Sequence, residues 1–402
     1  RRQVPGRAFA LALGLVAFIA PLAVHLFFPV IPAVKVALSL SDAAAQFNFS
    51  IALFAMAVAT LAYGSLSDRY GRRPLLLSGL GLFLIGSAVC AIAPTAPALA
   101  FGRIVQAVGA GCSTTLVRTI ARDAYRAEHL VRAIAYLTMF YTLGPMIAPL
   151  FGGVLIDTMG WRSVFGFALV AGALIAVAAY AWIFETRPQL SGAADETAIT
   201  RGYFELFRNP SFVGYVLQSG FNTAAFMTTA SAAATLMKEL LARSATEFGF
   251  YFLVFPLGFF FGNWLSSRIG NRRSNESMVL AGSVLSITTI LVQAALLLSG
   301  VVAPWSLFVP GFFLTFSQGI ALPYAQVGAM ATIPRLAGTA AGVGVFMQSM
   351  GAALFTQLYG FAANGTPAPM VAIVALSGIL GLAAGVLPSL YKGKTAGWQM
   401  RA

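Results

Sequence analysis

Long apolar stretches separated by brief polar ones run the length of the chain. A helix needs roughly 20 apolar residues to cross the hydrocarbon of a bilayer. Stretches of that order fall near 9–34, 48–66, 75–94, 97–121, 132–156, 162–184, 211–235, 246–266, 277–299, 303–330, 338–362 and 369–390. The pattern predicts twelve spans, six before a longer polar interval and six after it. The stretches are continuously apolar instead of alternating at period two, which excludes the strands of a membrane barrel. Backbone groups in hydrocarbon must be satisfied internally. The expected fold is therefore an all-α membrane protein of twelve transmembrane helices in two pseudo-symmetric six-helix bundles. The expected division is residues 1–184, a cytoplasmic linker at 185–210, and residues 211–402. The first stretch runs through Pro21, Pro29 and Pro32 without a small-residue processing site, so it is expected to stay as the first helix.

Composition agrees with this medium. Apolar residues make up 59% of the chain and charged residues 9%, against about 45–50% and about 25% in a soluble domain. Glycine and proline are dispersed inside the apolar stretches, as when bilayer helices pack closely and bend. Cys90 and Cys112 both lie in apolar stretches, which suggests neither a disulfide framework nor a metal site, and no metal or organic cofactor is expected. The formal charge of +13 is concentrated on one side of the predicted bundle. Arg7, then Arg69, Arg72 and Arg73, then Arg122, Arg126 and Arg132, then Arg268, Arg272 and Arg273, then Lys392 and Lys394 fall there. The other side holds little beyond Lys35, Arg162, Lys238 and Arg243. An even number of spans with this bias places both termini in the cytoplasm. The basic residues are divided among short loops and offer no continuous groove, so no nucleic-acid partner is expected.

Arg69-Tyr70-Gly71-Arg72 returns in modified form as Arg268-Ile269-Gly270-Asn271, each between two apolar stretches, which marks the halves as related. In the first copy Gly71 suits a sharp reversal and Gly64 a close helix approach. Asp68 is placed to take hydrogen bonds from a helix N-terminus or an arginine. Asn263 and Ser267 replace Gly64 and Asp68 in the second copy, so an ionic latch is expected to be stronger in the first half. Gly64, Asp68, Arg69, Gly71 and Arg72 are the candidate gating residues of this loop.

These residues, with Arg103-Ile104-Val105-Gln106-Ala107-Val108-Gly109-Ala110-Gly111 and Gly144-Pro145-Met146-Ile147-Ala148-Pro149-Leu150-Phe151-Gly152-Gly153, resemble the major facilitator superfamily, and within it the twelve-span drug/proton antiporters. Arg118-Thr119-Ile120-Ala121-Arg122-Asp123 and Pro29-Val30-Ile31-Pro32 are similar to the Bcr/CflA branch. The resemblance implies proton-coupled multidrug efflux at the bacterial inner membrane, with protons as the coupling ion. The sequence departs from that branch at His25-Leu26-Phe27-Phe28-Pro29, where an acidic residue usually stands.

Physical chemistry reads the same positions independently. Arg103 is a cation inside an apolar stretch, where charge is costly and usually faces a bundle interior or a wet cavity; its open alternatives are function and structural pairing. Arg118 lies nearer the cytoplasmic end, where snorkelling is the alternative. Gln106, three residues from Arg103, is placed to share its face. His25 is the one histidine inside a span. It is open to three roles: carrying a proton, hydrogen bonding a solute, or a bland interior place. Pro145 and Pro149 with Gly144, Gly152 and Gly153 are expected to bend the fifth span and seal it against a helix of the other half. The alternative for them is close packing alone. Phe28, Tyr136, Tyr141, Gln218, Asn222, Phe226, Met227, Gln318, Gln326 and Gln348 are candidates for lining an amphipathic cavity.

No carboxylate lies mid-span, so neutral or anionic solutes are favoured over permanent cations. The expected activity is proton-coupled efflux of small amphipathic compounds by alternating access, with facilitated diffusion or proton symport of a small metabolite as the alternative. A single copy is expected to suffice. The chain has no HExxH, CxxC or phosphate-binding glycine loop with its lysine, so no catalytic residues and no enzyme are expected.

Overall fold

The computed structural model describes residues 5–186 and 196–391, and in these residues there are helices and no strand. Residues 187–195 of the expected linker lie outside that description, as do Arg1, Arg2, Lys392, Lys394 and Arg401. The helices are α1 Arg7–Ala17, α2 Ile19–His25, α3 Val30–Ala37, α4 Asp42–Tyr70, α5 Arg72–Ile92, α6 Ala96–Ala124, α7 Ala127–Met159 and α8 Arg162–Trp182. There follow α9 Glu196–Phe207, α10 Pro210–Glu239, α11 Ala245–Phe252, α12 Val254–Ile269, α13 Asn275–Leu298, α14 Pro304–Thr332, α15 Ala337–Ala362 and α16 Ala368–Leu390.

Among the described residues, eleven helical segments are long and apolar enough to cross a membrane. The exception among the twelve expected spans is α10, whose 30 residues suffice in length. It carries Gln218, Ser219, Asn222, Thr223, Thr228, Thr229, Ser231 and Thr235, all buried. A helix surrounded by other helices needs no apolar face toward lipid, and its polar groups find partners across helix contacts.

The outward faces confirm the medium. On α8, Val170, Leu174 and Val177 are 61%, 69% and 67% exposed, at the spacing of one helix face. Water around such a stripe would be unfavourable; acyl chains suit it.

The chain forms two compact units. The first contains α1 to α8 together with Arg243–Phe250; the second contains α9, α10 and the chain from Tyr251 onward. In the first unit α6 packs on α4 and α5, and α8 packs on α5 and α1. The α5–α6 contact is possible because of glycine: a Cβ on Gly86 would lie 2.2 Å from the Gln106 backbone nitrogen. In the second unit α10 is central, packed by α14, α15 and α16, while α12 and α13 lie on α14.

The first span is broken into α1, α2 and α3, and its prolines explain the breaks. Proline lacks an N–H and its ring crowds the carbonyl four residues back. Pro21 follows the turn at Phe18, and Pro29 closes the turn at Leu26–Pro29. At that second turn the Phe27 and Phe28 amides bond three residues back, to Val24 and His25. By contrast α7 remains one helix of 33 residues through Pro145 and Pro149.

Candidate functional site

The polar interior of the first unit forms around the second break. The Phe27 amide takes the Val24 carbonyl and the Leu26 amide that of Leu22. Neither takes the carbonyl of Ala23, which accepts from Arg103 Nη1 at 3.1 Å. Arg103 Nη1 also donates to Gln106 Oε1 at 2.6 Å, and its Nε donates to the Asn48 carbonyl at 3.4 Å. The guanidinium carbon stands 4.2 Å from the centre of the Phe27 ring. Gln106 passes the network on, donating to Ser87 Oγ at 2.9 Å. Arg103 is 2% exposed and has no carboxylate partner among the described residues. Carbonyl dipoles and a ring face thus hold the cation where a counter-ion would ordinarily be required.

His25 is 5% exposed, with Nδ1 2.9 Å from the Pro21 carbonyl. A carbonyl only accepts, so Nδ1 carries the proton of that bond. The ring meets Phe28 edge-on at 5.7 Å, and Phe28 packs on Phe49. The side-chain Oδ1 of Asn48 is buried without a hydrogen-bond partner, which is where a water or a polar group of a solute would be accommodated. Asn48, Ser87 and Phe27 were not among the candidates. A lone Asn within an apolar stretch was the available signal for Asn48; nothing local marks Ser87 or Phe27.

The loop between α4 and α5 is also built by long-range partners. Gly71 has φ +98°, a conformation favouring glycine, and an added Cβ would lie 2.7 Å from Glu185 Oε2. Glu185 accepts from the Arg72 and Arg73 backbone amides at 3.0 and 3.1 Å, capping the N-terminus of α5. Asp68 therefore does not cap that helix. It pairs with Arg72 Nη1 at 2.6 Å, while Arg72 Nε donates to Asp123 Oδ2 at 3.0 Å and Nη1 also reaches Ser67 Oγ. Arg72 and Asp123 are both buried and Asp68 is half exposed. Arg69 is exposed, and the Gly64 carbonyl accepts from Ser67 Oγ at 2.9 Å, although a Cβ on Gly64 would meet nothing within 4 Å. In the second copy Tyr324 Oη donates to the Gly270 carbonyl at 2.7 Å, Ser267 Oγ donates to the Trp264 carbonyl at 2.7 Å, and the described residues show no ion pair to Arg268.

The α7 glycines divide between two neighbours, the broken first span and α11. A Cβ on Gly144 would lie 2.2 Å from Pro21 Cβ, and one on Gly152 would lie 3.1 Å from the Leu26 carbonyl oxygen. Both therefore pack on the broken first span of the same unit. Gly153 meets the Ala245 carbonyl oxygen at 2.2 Å in the same sense. One turn on, Asp157 accepts from the Ala245 and Thr246 amides at 3.3 and 2.8 Å, capping α11. Pro149 lies in this contact too, its carbonyl oxygen 2.8 Å from a Cβ added to Gly249, whereas Pro145 sits inside α7 with no break.

The second unit gathers Gln218, Asn222 and Gln318. Gln218 Nε2 donates to Ser283 Oγ at 3.1 Å, Ser286 Oγ donates to Asn222 Oδ1 at 3.2 Å, and Gln318 Nε2 donates to Thr223 Oγ1 at 3.0 Å. Gln218 Oε1 is buried without a partner, as is Gln348 Nε2. Phe226 packs on Phe252 and Phe255 and is 9% exposed; Met227 is partly exposed. Gln326 is exposed and stands apart from this group. In the first unit the Tyr136 ring is tilted against that of Phe140 at 5.0 Å, Tyr141 is 45% exposed, and Arg118 is exposed.

A two-unit helical protein with lipid-suited outer faces and polar clusters sealed inside each unit is a membrane carrier. The chain belongs to the Major Facilitator Superfamily, whose sequence pattern matches residues 13–356. It is 30% identical over 354 residues to Multidrug resistance protein D of Escherichia coli (strain K12), covering 87% of each chain. It is 25% identical over 380 residues to the uncharacterized MFS-type transporter YdgK of Bacillus subtilis (strain 168), covering 93% of each. In fold it is similar to the crystal structure of the D-xylose-proton symporter, with a TM-score of 0.77 at 15% identity over 95% of this chain and 96% of that one. The protein is a secondary transporter of small molecules working by alternating access, and not an enzyme.

Proposed function

We propose that this protein carries a small neutral or anionic organic solute across the bacterial cytoplasmic membrane, by facilitated diffusion or by proton symport. The observation that carries the reading is Arg103, a buried guanidinium held by the carbonyls of Ala23 and Asn48 and the amide of Gln106. A solute bringing an acceptor or a negative charge strengthens such a site; a permanent cation weakens it. Asp123, whose side chain is 8% exposed, is committed to Arg72 at the end of the unit. His25 is the histidine inside this unit, and we read it as the side chain that carries the proton. In the first unit the buried acceptor Asn48 Oδ1 is the expected contact for a donor group of the solute. One copy of the chain suffices, with both termini cytoplasmic.

Proton-coupled efflux of small amphipathic drugs is the second reading, and the 30% identity to Multidrug resistance protein D favours it. One experiment separates the two. Purified protein in liposomes is given a pH gradient and neutral, anionic or quaternary ammonium compounds, while lumenal pH is followed. Facilitated diffusion leaves the pH trace flat, symport moves protons with the solute, and efflux by exchange moves them against it. Preference for the quaternary ammonium would overturn the solute assignment. His25→Gln with an unchanged pH dependence would remove His25 as the proton carrier.

A further inference from the structure

We propose that α9, with the adjoining end of α12, is a docking surface for the anionic phospholipid headgroups of the leaflet at that end of the second unit. Helical spacing of about 100° per residue divides Gly202-Tyr203-Phe204-Glu205-Leu206-Phe207-Arg208 into three sectors. Gly202, Tyr203 and Leu206 share one, Phe204 and Phe207 the next, Glu205 and Arg208 the third. The structure gives each sector a different environment. Leu206 is fully buried and Tyr203 packs beside it, in a core cluster with Phe212, Tyr215 and Tyr324. Phe204 and Phe207 are 66% and 44% exposed. Glu205 is taken by Arg335, so the acidic group of this stretch is neutralised. Arg208 is exposed and lies over the Phe204 ring at 5.6 Å.

Three sectors are what a helix lying in a membrane interface needs: protein on one side, acyl chains on the second, headgroups and water on the third. The position of α9 is fixed by its connection. Asn209 caps α10, its side chain accepting from the Ser211 and Phe212 amides, so α9 ends two residues before a 30-residue helix of the bundle.

The last turns of α12 repeat the arrangement. Trp264 is 50% exposed with Arg268 at 5.3 Å from its ring, while Leu265 and Ile269 pack on the same core cluster as Tyr203. Two exposed aromatic rings, each with an arginine four residues on, thus stand at one end of the unit. The rings suit the acyl boundary and the arginines suit phosphate, to which a guanidinium bonds in a fork. Pairing Glu205 with Arg335 offsets the α9 charge that would repel an anionic headgroup.

A nitroxide on Phe204→Cys in the full chain tests this, since Cys90 and Cys112 are buried and the new thiol is exposed. Accessibility to oxygen, which partitions into acyl chains, is compared with accessibility to a water-soluble nickel chelate. The protein is placed in nanodiscs of phosphatidylcholine with increasing phosphatidylglycerol. The expected result is a label protected from nickel and open to oxygen, moving deeper as phosphatidylglycerol rises. Arg208→Gln should raise the phosphatidylglycerol fraction giving half the effect about fivefold, the weight of one interfacial arginine; Arg208→Lys should restore it. A label open to nickel, closed to both reagents as against a protein partner, or indifferent to headgroup charge overturns the proposal.

Discussion

Arg103 is held by acceptors that only a planar, forked cation reaches together: two backbone carbonyls and one side-chain amide on three different helices. Lysine offers a compact charge on a flexible stem and cannot span that set. Arg103→Lys is therefore expected to behave like Arg103→Gln, each losing transport on the order of tenfold or more, since charge-assisted bonds contribute about 1.5–3 kcal/mol each. Initial rates in liposomes check this, and a lysine variant with the parent rate would show that charge alone matters. Arg103, Gln106 and His25 were legible because each is a polar residue inside an apolar stretch. Asn48 gave the same signal more faintly. The Ala23 carbonyl had no signal, because a backbone acceptor has no letter in the sequence.

Among elements, the α4–α5 loop shows how exposure ranks two carboxylates on one arginine. Asp68 lies closer to Arg72 than Asp123 does, yet Asp68 is half exposed and Asp123 is 8% exposed. Screening by water discounts the first pair, whereas unpairing a buried charge costs about 3–5 kcal/mol, less here because Asp68 still offsets part of it. Asp123→Asn is expected to lower the thermal unfolding midpoint in detergent more than Asp68→Asn does. An equal drop would reject that ranking. The turn itself was readable from Gly71, but its cap was not, since Glu185 lies 113 residues from Arg72. The same limit explains α7. Its glycines announced close packing, and only the fold shows that Gly144 and Gly152 meet the first span. Among the described residues eleven of the expected spans are marked by length and apolarity together, whereas α10 is long enough but more polar, its sides being covered by other helices.

At the scale of the molecule, the chain passes from one compact unit to the other inside α11, between Phe250 and Tyr251. Its first turn is tied to α7 by Asp157. Asp157→Asn should speed amide hydrogen exchange at Ala245 and Thr246 by about fivefold, the equivalent of roughly 1 kcal/mol for one hydrogen bond. Unaltered exchange, read by mass spectrometry, would mean that the glycine packing alone fixes the segment. The tightened turn at Leu26–Pro29 carries a different consequence, one for engineering. Pro29→Ala would supply an N–H for the His25 carbonyl and remove the ring that crowds it, favouring a straighter span whose regular pairing competes with Arg103 for the Ala23 carbonyl. A screen for heat-resistant variants would favour that repair; assayed for uptake, its winners should be the poorer carriers.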